Sequence, residues 1–169
     1  MLPKFLLTAV GFLLLTSCAQ DPPPTAPPTA QPVAALDDTR VALQLVADAG
    51  LNPDAAGLAA PVRVRFYQLK NAANFLRADY FALTERANPT LGADLLDQDE
   101  VWVRPGEQRQ LSRELDIQTR HFGLVVGYRD IDQAQWRTVL TLAPHQTNKF
   151  LINLDAHGLR SDVALSPAQ

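Results

Sequence analysis

The chain has 169 residues, with 15 Lys and Arg against 18 Asp and Glu, a formal charge of −3, 47% hydrophobic residues and a single cysteine. A mildly acidic balance offers no clustered basic footprint for nucleic acid, and the length left after a leader and a linker suits one compact domain rather than two. With Cys18 as the only cysteine, no internal disulfide can hold that domain together, so a hydrophobic core has to.

The leader occupies residues 1–17. Lys4 supplies a positive charge, Phe5 to Leu15 an apolar run, and Leu15-Thr16-Ser17 leads into Cys18, the layout of a cleavable signal peptide. A spanning helix needs roughly 20 apolar residues, more than this run provides. A buried first helix would have only the following proline tract to pack against. The pattern resembles the lipobox of bacterial lipoproteins. That resemblance implies diacylglycerol on the Cys18 thiol, cleavage before it, and an acyl chain such as palmitate on the new amino group. Three acyl chains anchor durably, since each buried methylene contributes about 0.8 kcal/mol and one chain alone binds marginally. Ala19 stands where an aspartate, by resemblance to enterobacterial lipoproteins, would signal inner-membrane retention, so the outer membrane is expected, on its periplasmic face.

Residues 18–36 read as a linker. Gln20 to Gln31 is almost entirely Pro, Thr and Ala, with Pro22, Pro23, Pro24, Pro27 and Pro28 ahead of Pro32. Such a tract favours polyproline II at about 3.1 Å per residue, so a dozen residues span roughly 35 to 40 Å.

The folded domain is expected over 37–169. Val41, Leu43, Leu45 and Ala47 alternate with polar residues and predict a first strand from Arg40 to about Ala49. Gly50 to Pro61 is a long loop broken by Pro and Gly. Val62 to Leu69 alternates again, with Val62, Val64 and Phe66 on one face and Arg63, Arg65 and Tyr67 on the other. The period then turns helical between Ala72 and Arg86, with Asn71 as a cap and Ala73, Leu76, Tyr80 and Leu83 as a stripe. Asn88-Pro89 stops that segment, and Pro89 opens a further short helix through Leu96. Strands resume at Glu100–Arg104, Gln108–Leu115, His121–Arg129, Gln135–Leu142, Asn148–Asp155 and about Arg160–Leu165. The fold class expected is mainly β: an antiparallel β-sandwich of seven or eight strands with a short helical insertion after strand two.

No enzymatic signature stands out, and neither a cofactor nor a metal is expected. His121, His145 and His157 are far apart in sequence and have no zinc-type spacing. The acidic residues Asp94, Asp97, Asp99 and Glu100, and likewise Asp130 and Asp132, lack the glycine and ligand spacing of a calcium loop and read as solvated turns. Ser112, Ser161 and Ser166 lie outside any G-x-S-x-G elbow. What remains is interaction. The Gly50–Pro61 loop is long for a strand connection, carries Leu51 and Leu58 as exposed apolar side chains, and is stiffened by Pro53.

The ordered succession of segments resembles a known family. Leu51-Asn52-Pro53-Asp54, Pro61 to Leu69, Phe75 with Ala78 to Leu83, Leu91 to Leu96, the Pro105-Gly106 turn, Phe122 to Asp130 and Trp136-Arg137 follow one another as in the outer-membrane lipoproteins of the bacterial type VI secretion system, the TssJ family. The resemblance implies a transthyretin-like sandwich and a structural role in a trans-envelope complex, where such lipoproteins bind the periplasmic C-terminal domain of the inner-membrane subunit TssM. It also implies that the loop between the first two strands makes that contact, through Leu51, Asn52, Pro53, Asp54 and Leu58. The alternative reading is a periplasmic sandwich lipoprotein that binds a small ligand or sugar. Such a carrier should gather aromatics around a cleft, whereas Trp102 and Trp136 fall on different strands and are expected to serve core or cross-strand packing.

Overall fold

Alternating apolar and polar residues place eight strands in the computed structural model, which describes residues 38–163. The leader, Cys18, the proline tract and the end of the last predicted strand lie outside the described residues. The strands are β1 (Arg40–Ala47), β2 (Val62–Leu69), β3 (Leu95–Val103), β4 (Gln108–Glu114), β5 (His121–Val126), β6 (Arg137–Thr141), β7 (Thr147–Leu154) and β8 (Leu159–Val163). They form two four-stranded sheets, ordered β4-β1-β7-β8 and β3-β2-β5-β6. Between the sheets lie Val41, Leu43 and Leu45 of β1, Val64 and Phe66 of β2, Phe122 and Leu124 of β5, and Phe150 and Ile152 of β7, all buried. At about 1.5–3 kcal/mol for each such side chain, this layer holds the sandwich without a disulfide.

The sheets are not purely antiparallel. β7 runs parallel to β1, with Leu43 opposite Phe150 and Leu45 opposite Ile152. The chain crosses from β6 in one sheet to β7 in the other, and it enters beside the start of β1, where the Arg40 amide donates to the Gln146 carbonyl at 3.0 Å. Both strands therefore leave from the same end. Alternation reports which face a side chain takes, and it is silent on strand direction. As a result the loops β1–β2, β3–β4, β5–β6 and β7–β8 gather at one end of the sandwich. Thr39 lies at the other end, where its carbonyl accepts from the Leu115 amide at 2.9 Å and its hydroxyl oxygen from the His145 amide at 2.9 Å.

The insertion after β2 consists of α1 (Ala73–Arg77), α2 (Tyr80–Glu85), α3 (Ala87–Leu91) and a 3-10 turn (Gly92–Asp94). Helices this short are unstable alone, and the outer face of the second sheet holds them in place. Phe75, Leu83, Ala87 and Leu91 cover Tyr67, Leu69 and Val125 to make a second small core. Phe75 reaches the sheet because residue 123 is glycine: a Cβ there would lie 2.7 Å from the Phe75 ring. The sheet also satisfies helix carbonyls left over at C-termini. Arg137 Nη1 donates to the carbonyls of Phe75 and Ala78 at 3.1 and 2.7 Å, the Tyr67 hydroxyl donates to the Leu83 carbonyl at 3.0 Å, and Arg65 donates to the Thr84 carbonyl.

Several expectations change here. Tyr67 faces away from the main core yet is buried, because the helices cover it. The expected Ala73–Leu76–Tyr80–Leu83 stripe fails because the helix breaks at Ala78, which is extended, and restarts at Asp79, whose carboxylate accepts from the Ala82 amide at 2.8 Å. That break leaves Leu76 exposed and puts Phe75 inward. Asn71 accepts from the Ala73 amide at 2.8 Å, but as a local turn one residue ahead of the helix: the cap position is Ala72, which has no side-chain oxygen to offer. Pro89 lies inside α3 rather than opening it, a first-turn position that its missing N–H tolerates. β3 starts at Leu95, so Asp97, Asp99 and Glu100 are not turn residues. They line an edge strand, where Glu100 meets Arg65 at 3.0 Å, Asp97 accepts from Gln68 at 3.1 Å and Asp99 pairs with Arg113. Charges on an edge also discourage unwanted strand pairing.

Candidate functional site

The β1–β2 loop is a bonded structure rather than a slack connection. Directly after β1, the Asp48 carboxylate accepts from the Gly50 amide at 2.7 Å and its carbonyl accepts from the amides of Leu51 and Gly106, at 3.2 and 3.1 Å. This wrap turns the Leu51 side chain back into the sandwich, where it is fully buried with Val62 and Val103 in the main core. The Leu51 carbonyl then accepts from the Ala60 amide at 3.0 Å and closes the base of the loop.

Asn52 is buried as well and adopts a left-handed backbone, φ 49°, which asparagine tolerates better than most residues. Its amide nitrogen donates to the Pro61 carbonyl at 3.3 Å, and its side-chain oxygen accepts from the Arg129 amide at 2.8 Å. The loop is thereby tied to the β5–β6 connection. Beyond it, the Asp54 carboxylate accepts from the amides of Ala56 and Leu58, both at 2.9 Å. The Asp54 amide donates to the Leu58 carbonyl at 3.0 Å, and Gly57 takes the positive φ of 77° that the turn needs. Leu58 is left 67% exposed on this closed turn, with Pro53 and Asp54 half-buried beside it.

The five loop residues singled out in the sequence therefore divide. Leu51 and Asn52 are structural: one fills the core and the other bolts the loop down, so neither offers its side chain to a partner. Pro53, Asp54 and Leu58 remain at the surface. Cys18 lies outside the described residues.

A shallow groove of about 660 Å³ runs beside the loop, lined by Pro53, Asp54, Tyr128, Arg129, Gln133 and His157. Arg129 reaches Asp54 at 3.7 Å. Tyr128 is buried, and its hydroxyl has no hydrogen-bond partner among the described residues. Burial, reinforced by the negative charge of Asp155, holds that phenol well above its ordinary pKa, so it keeps its proton. On the neighbouring β3–β4 turn, Glu107 is held below the usual carboxylate value, chiefly by the hydrogen bond from the Arg104 amide and then by Arg109. No local pattern marks Tyr128 and Arg129 as neighbours of the loop, because only the sandwich topology brings residue 129 to Asn52.

The histidines sit on β5, in the β6–β7 connection and in the β7–β8 turn, and no group of three metal-ligating side chains occurs among the described residues. The two tryptophans do not share a cleft. Trp102 stands on the outer face with Arg63 stacked 4.9 Å from its ring centre, and Trp136 meets the edge of Tyr80 at 5.5 Å. What the loop end offers is an apolar side chain on a rigid mount, the kind of feature around which binding energy concentrates.

These features define a two-sheet β-sandwich with a hydrogen-bonded loop end that exposes an apolar side chain. A model of the type VI secretion lipoprotein family, described by the names VasD, EvfM and TssJ, matches residues 39–157, and the chain belongs to that family. Among solved structures it is similar to the type VI secretion lipoprotein TssJ1 from Pseudomonas aeruginosa, with 49% identity, 77% of this chain and 99% of that one covered, and a TM-score of 0.75. It is also similar to Lip of Serratia marcescens, a membrane-bound component of the type VI secretion system, at 27% identity, covering 76% and 99% of the two chains with a TM-score of 0.70. A third match, at 29% identity and TM-score 0.60, covers 76% of this chain and 98% of a chain in a structure described as the type VI secretion protein TssM C-terminal domain from EAEC. No curated protein gives a significant match.

Proposed function

We propose that this lipoprotein is a structural, non-catalytic subunit of the type VI secretion membrane core complex. It is anchored to the periplasmic face of the outer membrane by lipid on Cys18, and it binds the periplasmic C-terminal domain of TssM through its loop end. The observation that carries the reading is Leu58, exposed on a turn locked by Asp54 and standing at the end of the sandwich opposite Thr39. Rigidity lowers the ordering cost of association. The similarity to a chain in a structure described as the TssM C-terminal domain supports the choice of partner.

The test is calorimetric titration of Leu58→Asp with the TssM C-terminal domain. The variant should bind at least tenfold more weakly, since a charge replaces an apolar anchor, while its melting temperature stays put because residue 58 touches little. Undiminished affinity would remove this loop from the interface.

A further inference from the structure

We propose that the partner's footprint extends from the β1–β2 loop onto the outer face of the second sheet, with Trp102 as its second anchor. This rests on the assignment of the TssM domain as partner. The helices cover only the part of that face built on Tyr67, Leu69 and Val125. Nearer the loop end, α2 and the sheet leave between them a groove of about 450 Å³, lined by Arg63, Tyr80, Phe81, Trp102 and Gly127 among others. Trp102 is 53% and Phe81 55% exposed. A single exposed apolar residue is ordinary. Two large aromatics lining one groove with an arginine have the composition of an interface anchor, where Trp, Tyr and Arg dominate.

The groove is also preorganised. Trp102 and Arg63 are direct cross-strand partners, the guanidinium lies 4.9 Å from the indole centre, and Glu100 stands 3.8 Å from Arg63 and 3.0 Å from Arg65. The indole is held in one place, so little freedom is lost when a partner covers it. Both arginines already face a carboxylate, so the contact this groove offers is stacking and apolar burial, with weak salt dependence.

Area supplies the link to the loop. A stable interface buries about 800 Å² on each side, a disc of roughly 16 Å radius. The turn around Asp54 and Leu58 is too small to supply that alone. Arg63 lies five positions after Leu58, at most about 18 Å of extended chain, and the Gly106 amide ties the β3–β4 turn to Asp48 at 3.1 Å. Leu58 and the Trp102–Arg63 stack thus fit within a single footprint of ordinary size.

The experiment titrates the purified full-length protein and its variants with the TssM C-terminal domain by calorimetry, with hydrogen exchange on the unsubstituted protein in parallel. Trp102→Ala should weaken binding tenfold or more with little change in melting temperature, and Trp102→Phe, which keeps a flat apolar ring, should stay within about threefold of the parent. Amides of residues 98–103 should become protected from exchange in the complex, a readout that needs no substitution. If Leu58→Asp weakens binding while Trp102→Ala binds within twofold of the parent, or residues 98–103 gain no protection while 53–58 do, the extension is wrong and the loop assignment stands. If the unsubstituted protein does not bind the domain, the partner assignment fails and this inference falls with it.

Discussion

Replacing Leu51 by alanine separates a core role from a surface role within one loop. The side chain is fully buried among Val62, Val103 and their neighbours, and its backbone is pinned by Asp48 on one side and Ala60 on the other. The loop therefore cannot easily collapse to fill the space left behind. Leucine-to-alanine changes at such sites cost roughly 2.7–5 kcal/mol, rising with the residual cavity, so about 3 kcal/mol is a fair expectation. For a domain of this size each kcal/mol moves the melting temperature by roughly 4 °C, which makes the drop about 12 °C. Leu58→Ala, beyond the Asp48 wrap and on the open side of the turn, should stay within about 0.5 kcal/mol, or roughly 2 °C. Thermal melts followed by circular dichroism, with urea titrations to check that the slope is unchanged, measure both. A Leu51→Ala variant that melts within about 3 °C of the parent would show that Leu51 is not core. It would restore the reading in which the whole stretch from residue 51 to 58 is a surface loop.

Gly123→Ala should cost about 1–3 kcal/mol by overpacking, because its Cβ would press on the Phe75 ring; an unchanged melting temperature argues against tight seating of α1 on β5. Glu107 has a depressed folded pKa, so its ionised form stabilises the fold above the ordinary carboxylate value of 4.5 and that contribution is lost as pH falls through the folded value. Glu107→Gln should then be less stable than the parent near neutral pH, and the gap should shrink as pH falls below 4.5; a gap that widens on acidification reverses the assignment. Cys18→Ser should not be lipidated, because a hydroxyl does not replace the thiol that forms the thioether, and flotation of the serine variant with outer membranes to the parental extent contradicts the lipobox reading.

Much of the architecture was legible in the chain because burial imposes a period. β2 was bounded at both ends from its alternation, and the same rule set Val62, Val64 and Phe66 on one face, which is the core face. A change to helical spacing after Leu69 marked the insertion, and the order of segments matched the family. Alternation assigns a residue to a face but is silent about what covers that face. Tyr67 was read as outward, and outward it is, yet three short helices bury it, and they are held there by Gly123 and Arg137 from other strands. The parallel pairing of β1 and β7 likewise depends on where a crossing connection re-enters, which no local pattern records.

The loop shows the same division at the level of function. Its length, its Pro and Gly content and its place between the first two strands are properties of the sequence, and they single out this stretch of chain as the candidate contact. Which of its two leucines faces water was decided by three hydrogen bonds to Asp48, one of them from Gly106 far along the chain, and by Asn52 gripping the Arg129 amide. A residue just past a strand end has no period to follow, so its burial is set by whatever the tertiary structure brings alongside, and that is why Leu51 went inward and Leu58 stayed out.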